Sequence, residues 1–211
     1  MSVDLALAET LTFETPWVLY AHVPCASTNY GSSYLEIGRF DTIADFLRLF
    51  NNIPDIRHIH DGKVRVNGQV IIAYSLFREG VLPEWEDPTN SKGSEWGCRE
   101  NLDCKLFADI WQSYILGAIG EHIPHCVGIR AINKSNRTRR LHKIEVWMDK
   151  TNTKCVQECR RSLTKLFAES PKFAYIPHQE KQNQANEYNN RKRRRHGQSG
   201  SQYNAESVEY C

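Results

Sequence analysis

The nine residues from Arg140 to Met148, RLHKIEVWM, constrain the fold more than any other stretch of the chain. Side chains alternate across an extended strand, so Ile144, Val146 and Met148 share one face while Lys143, Glu145 and Trp147 share the other. The first set belongs against a core. The second, two charges and an indole, needs a face that stays open. The run from Cys126 to Asn133 repeats the pattern, with Val127, Ile129 and Ala131 on one side and Arg130 and Ile132 on the other. Arg130 reads equally well as an open-face cation or as an arginine snorkelling at a sheet edge.

Three segments carry helical periodicity. Asp41 or Thr42 can cap the first, which presents Ile43, Phe46, Leu47 and Phe50 before Asn51, Asn52 and Pro54 stop it. The second runs from Leu102 to Gly120 with a stripe of Leu106, Ile110, Trp111, Tyr114, Ile115 and Ile119. A third follows Asn152 as N-cap and presents Val156, Cys159, Leu163 and Leu166. Core packing explains all three stripes. Strand-like runs cover Trp17 to Val23, Tyr34 to Phe40, Val70 to Phe77, Cys126 to Asn133 and Leu141 to Met148. Strands grouped around single helices predict an α+β fold, an antiparallel sheet with helices on one face and a ligand-accessible surface on the other.

Charge is local. The chain is formally +2, yet the five cations of Arg191 to Arg195 exceed that, so the remainder is mildly acidic. Broad, charge-driven coating of nucleic acid by the domain is therefore not expected, while the charge balance permits one small basic site or a sticky tail. Beyond Pro177 the sequence is polar, rich in amides and almost free of aliphatics, which predicts disorder over 178–211. Its RKRRR run suits a nuclear import signal, an RNA-contacting arm or a solvated tail. Seven cysteines, an odd number with no CxxC pair, predict reduced thiols. His122, His125, Cys126, Cys155 and Cys159 are too loosely spaced to predict zinc, and no metal or cofactor is expected. No stretch is long and apolar enough to span a membrane, and the N-terminus lacks signal-peptide character, so an intracellular protein is expected.

One further stretch stands out. Between Val81 and Asn90, VLPEWEDPTN brackets a tryptophan and a glutamate with prolines. Alone, such a pair is usually an aromatic folded back on the core beside a solvated carboxylate. Its neighbours change that reading. Trp17 to Tyr20, then Phe40-Asp41-Thr42-Ile43 opening a helix, Tyr74 to Phe77, Glu79-Gly80, Pro83, Trp85-Glu86-Asp87, Ile119-Gly120-Glu121 and Lys143 to Trp147 form an ordered set. Together they resemble the eukaryotic translation initiation factor 4E family, the mRNA cap-binding proteins, over residues 13–177.

The resemblance implies a curved antiparallel sheet with three helices packed on its convex face and a cap slot on the concave face. Residues 1–12 would be a flexible lead-in. The cap's 7-methylguanine is cationic, and between two aromatic rings it gains cation–π as well as dispersion attraction. By position the sandwich is Trp85 and Tyr30, the latter where the family usually has tryptophan. Glu86 would accept from guanine N1–H and N2–H2, and Trp147 would lie against the methyl group. Lys143 aligns with a phosphate-binding lysine. The family's arginine on the preceding strand falls on Ile132, leaving Arg130 as the nearest substitute on the same face. The long hairpin adds Lys134, Arg137, Arg139 and Arg140 as phosphate or nucleotide contacts, or as solvated charge, and Lys92 is a further candidate. Glu95 sits where another cation might be expected.

On the convex face the family docks initiation factor 4G or 4E-interacting proteins through a tryptophan and a valine. Leu47 and Ile43 hold those positions here, with Leu116 beside them on the second helix, so the resemblance implies a divergent paralogue, of a kind known in protists, with a divergent partner docked through a helix. The expected function is non-enzymatic: a monomer that binds 7-methylguanosine-capped mRNA and recruits it for translation initiation in the cytoplasm. A translational repressor, a nuclear cap-binder and a scaffold that has lost cap binding are the alternatives. No carboxylate cluster or activated nucleophile of a hydrolase is found.

Overall fold

The computed structural model describes residues 10–24, 33–136, 138–167, 172–184 and 186–187. Among the described residues nine strands are formed. β1 (Thr12–His22), β2 (Tyr34–Thr42), β5 (Ala73–Arg78), β6 (Ser94–Glu100), β7 (Cys126–Asn133), β8 (His142–Met148) and β9 (Ala174–Pro177) join one sheet in the order β2-β1-β5-β7-β8-β6-β9. Every pairing in it is antiparallel. β3 (Arg65–Val66) and β4 (Gln69–Val70) form a separate two-stranded ribbon.

Three long helices cover one face. α1 (Ile43–Phe50) starts where the Thr42 hydroxyl accepts from the Asp45 amide, α2 (Cys104–Ile119) is capped by Asp103, and α3 (Thr153–Leu166) by Asn152. Their apolar stripes pack into a single core with Trp17, Leu19, Ala21, Tyr74, Leu76, Ile129, Ala131, Ile144, Val146 and Met148 from the sheet. The alternation read in β7 and β8 therefore holds, and the fold is the α+β antiparallel sheet expected from it.

Register aligns the open-face residues in rows. Trp147 lies opposite Glu95 on β6 and Gly128 on β7; Glu145 opposite Gly97 and Arg130; Lys143 opposite Arg99 and Ile132. On this face Val18, Tyr20, Phe77, Val81, Val127 and Trp147 form a second, smaller apolar cluster. Phe77 meets Trp147 edge-on at 5.3 Å, directly over Gly128, where a methyl group would collide with the phenyl ring. Gly128→Ala should therefore destabilise the fold by about 1 to 3 kcal/mol, read as a lower urea midpoint at unchanged slope.

Several boundaries differ from the sequence expectation. β6 and β9 carried no strand prediction, because β6 (SEWGCRE) places charges and a glycine on its open face and lacks an aliphatic run. The run Val70 to Phe77 divides into β4 and β5 at Ile71 and Ile72. The expected disorder from residue 178 is corrected over 178–184, which is helical and packed against the open face. Its polar side chains find partners in the charges of that face, which composition alone does not reveal. Residues 188–211, including the RKRRR run, lie outside the described residues.

Candidate ligand slot on the open face

The loop after β5 is built by its own polar residues. Gly80 turns the chain at φ +80°, Asp87 accepts from the amides of Leu82 (3.0 Å) and Thr89 (2.8 Å), and the buried Asn90 donates to the carbonyls of Leu82 (2.7 Å) and Glu84 (2.8 Å). Tyr34 of β2 ties the loop to the sheet through its hydroxyl, which donates to Glu84 at 2.7 Å. This bracing displays Trp85 and Glu86. Trp85 is half-buried against the small apolar cluster, and Glu86 is exposed, with no hydrogen-bond or ion-pair partner among the described residues.

Pro83, Trp85, Glu86, Arg130 and Trp147 line one slot of about 150 Å³. Three of the four residues assigned to guanine, Trp85, Glu86 and Trp147, are thus brought together with one phosphate candidate, Arg130. Tyr30 lies outside the described residues. Trp147 forms a fixed part of the wall: it is fully buried, its Nε1–H donates to Glu145 at 3.1 Å, and the Arg130 guanidinium lies 5.5 Å from its ring centre. The other phosphate candidates divide. Lys143 reaches the same face and is only part-exposed. Lys134, Arg139 and Arg140 are exposed on the β7–β8 hairpin without lining the slot, and Arg137 lies outside the described residues. Lys92 is not at the slot: after the single turn Pro88–Ser91 the chain points it into a different cavity, with Gln179 and Thr151.

A charge cluster adjoins the slot through Arg130 and Trp147, and the sequence reading missed part of it. Glu145 is paired with Arg130 (3.4 Å), Lys143 and Lys181 (3.6 Å). Burial would raise its pKa, but these three positive charges hold it well below the usual carboxylate range. Glu95, 0% exposed, is paired with Lys181 and with Lys143 (3.5 Å). Burial and then the nearby Glu145 charge raise the Glu95 pKa despite those cations. Lys181 also places its ammonium 5.7 Å from the Trp85 ring centre, while Gln182 donates to the Trp85 carbonyl at 2.8 Å. The missed residues, His178, Lys181 and Gln182, all come from the stretch read as tail.

His178 is fully buried against Trp147, ring centres 4.4 Å apart, and its Nδ1–H donates to the Asn90 carbonyl at 2.8 Å. Its Nε2 then faces a Glu95 oxygen at 3.7 Å, so two acceptors oppose each other unless a proton lies between them. Burial lowers the His178 pKa from 6.5 to about 4, and burial followed by Arg130 lowers that of His22, which bonds Ser75 at 2.7 Å. Because both fold neutral, the unfolded chain takes up protons first as pH falls. Their contribution is fully present above about pH 6.5 and is lost towards pH 4, with His178 accounting for at most about 3 kcal/mol. Glu95, with its raised pKa, works in the opposite direction. Urea midpoints measured from pH 7 to pH 4.5 should fall more steeply for the wild type than for His22→Gln or His178→Gln.

On the helix-covered side, Ile43 and Leu47 are half-buried on α1, and Leu116 of α2 is 47% exposed. Between the end of α1 and the middle of α2 lies a cavity of about 310 Å³, lined by residues including Phe50, Ile53, Ala108 and Trp111. Of the residues weighed for zinc, His125 and Cys155 come together with Glu158, within 4.8 Å; His122, Cys126 and Cys159 do not join them. The His125 ring lies between Asp149 and Glu158, 3.9 Å from each.

Comparison with known proteins agrees with this architecture. Eukaryotic initiation factor 4E from Dictyostelium discoideum is 24% identical over 168 residues, 78% of this chain and 62% of that protein. Eukaryotic translation initiation factor 4E1 from Drosophila melanogaster is 31% identical over 134 residues, 62% of this chain and 47% of that protein. The chain therefore spans about half to three fifths of these relatives' length. Among solved structures, C. elegans eIF4E-3 in complex with the 4E-binding protein Mextli and cap analog superposes with a TM-score of 0.66 at 20% identity, covering 82% of this chain and 95% of that one. Ascaris suum eIF4E-3 with m2,2,7G cap gives 0.64 at 21% identity, covering 80% and 91%. The family model for eukaryotic initiation factor 4E matches residues 12–193, which include the braced Trp85–Glu86 loop, Lys143 and Trp147, and the chain belongs to that family.

Proposed function

We propose that the slot binds the N7-methylated guanine of an mRNA cap and that the chain acts as a cap-binding factor in translation initiation. One observation carries the reading: an indole face and an unpaired, exposed carboxylate, adjacent in sequence on a braced loop, open onto a slot whose wall is a second indole. Trp85 supplies a π-face for a cationic ring, and Glu86 a two-point acceptor for guanine N1–H and N2–H2 that adenine cannot match. Arg130 and Lys143 are the phosphate contacts nearest that pose. Solved neighbours that contain cap ligands, among them the two described above, support the choice of ligand. A neighbour in complex with the 4E-binding protein Mextli supports a protein partner, and on the helix-covered side Ile43, Leu47 and Leu116 are the candidate contacts.

Retention on immobilised 7-methyl-GTP tests the reading. The wild type should elute with free 7-methyl-GTP and not with GTP, and Glu86→Ala should lose about tenfold or more in retention, since two charge-assisted hydrogen bonds disappear. Elution by both nucleotides alike would overturn it.

A further inference from the structure

The charge cluster beside the slot is unusual for a site that receives phosphates. Two carboxylates, Glu95 and Glu145, are buried in it at 0% and 2% exposure, and the cations that would meet an anion are already on them. Arg130 and Lys143 are held by Glu145, while Lys181 is held by Glu95, which also draws on Lys143 at 3.5 Å. The two carboxylates differ in what they support. Glu145 binds Arg130, Lys143 and the Trp147 indole, and so positions the slot wall. Glu95 touches no wall residue directly: its partners are Lys143, Lys181, which lies over the Trp85 ring, and, on its other oxygen, the His178 ring, which packs on Trp147. Its most direct effect on a bound nucleotide is electrostatic, through the two ammoniums it neutralises.

We infer that Glu95 is a specificity-determining residue, which limits how much the slot gains from a ligand's phosphates and so turns it toward methylated guanine carrying few negative charges. The inference rests on the proposed cap reading and deepens it. An incoming triphosphate must compete with Glu95 for Lys143 and Lys181, which the carboxylate already holds in a poorly solvated place. A nucleoside does not meet this cost, and a monophosphate meets less of it. Recognition then depends mainly on the indoles and Glu86.

Binding of 7-methylguanosine, 7-methyl-GMP and 7-methyl-GTP to the wild type and to Glu95→Gln tests this. The glutamine keeps the shape and removes the charge. In the wild type, affinity should rise by less than about tenfold from nucleoside to triphosphate, with weak salt dependence. In Glu95→Gln, affinity for 7-methyl-GTP should rise by a further factor of about ten while that for 7-methylguanosine is unchanged. A wild-type gain of about a hundredfold or more along the series, or a Glu95→Gln series parallel to the wild type, would overturn the inference. The wild-type series and its salt dependence decide the matter even if the variant does not fold. Absence of methyl-dependent binding to all three ligands would instead remove the cap reading, and this inference with it; methyl-dependent binding with a steep series removes the inference alone.

Discussion

Trp85→Ala is expected to abolish methyl-dependent nucleotide binding, lowering affinity for 7-methyl-GTP by about a hundredfold while leaving the fold intact. The asymmetry follows from where the ring sits. Trp85 is only half-buried, at the edge of the small open-face cluster, and its loop is held by Asp87, Asn90 and Tyr34 rather than by the indole. Truncation should therefore cost little stability and remove most of one stacking surface. The hydrogen bond from Gln182 goes to its carbonyl and survives the change, while the Lys181 ammonium, 5.7 Å from the ring, loses only a partly exposed neighbour. Calorimetric titration with 7-methyl-GTP and GTP, beside a urea unfolding curve, separates the two effects. Loss of binding together with a large fall in stability would mean that Trp85 is a core residue and not a ligand surface.

Glu145→Ala should produce the opposite pattern, destabilising the fold by about 3 to 5 kcal/mol. Removing this carboxylate takes a partner from the buried Arg130 and leaves Lys143 and Lys181 to share Glu95. It also strips the acceptor from the buried Trp147 Nε1–H. Three like charges in a poorly hydrated place repel, and one polar group is orphaned. Urea unfolding at neutral pH measures the loss, and exposed Glu86→Ala, expected to stay within about 0.5 kcal/mol of wild type, is the comparison. A Glu145→Ala midpoint close to wild type would show that water already screens the cluster.

The sequence carried the layers of the fold because β7 and β8 alternate cleanly and the helices bear conventional caps at Thr42, Asp103 and Asn152. β6 was hidden because the open face, where it places Glu95, Gly97 and Arg99, demands charges, and charges mask a strand. The same logic hid residues 178–184. Their partners, Asn90, Glu95 and Trp85, lie some eighty to a hundred residues earlier, so local composition reads as disorder what tertiary ion pairing orders. That Trp85, Glu86 and Trp147 belong together was legible from the resemblance their ordered motifs carry, and they line one slot. The phosphate side was not, since Arg130 and Lys143 look like free cations in sequence and prove to be paired with Glu145. Lys92 was misplaced for want of the turn at Pro88–Ser91.

Intrinsic tryptophan fluorescence during titration with 7-methyl-GTP, with GTP alongside, tests the central claim most directly. Of the five tryptophans, Trp17, Trp96, Trp111 and Trp147 are buried at 5% exposure or less, and Trp85 presents an accessible face at the slot. Saturable quenching by 7-methyl-GTP, at least about tenfold tighter than any response to GTP and lost in Trp85→Ala, is the predicted result. Equal quenching by both nucleotides, or none by either, would contradict a methylguanine slot on this face.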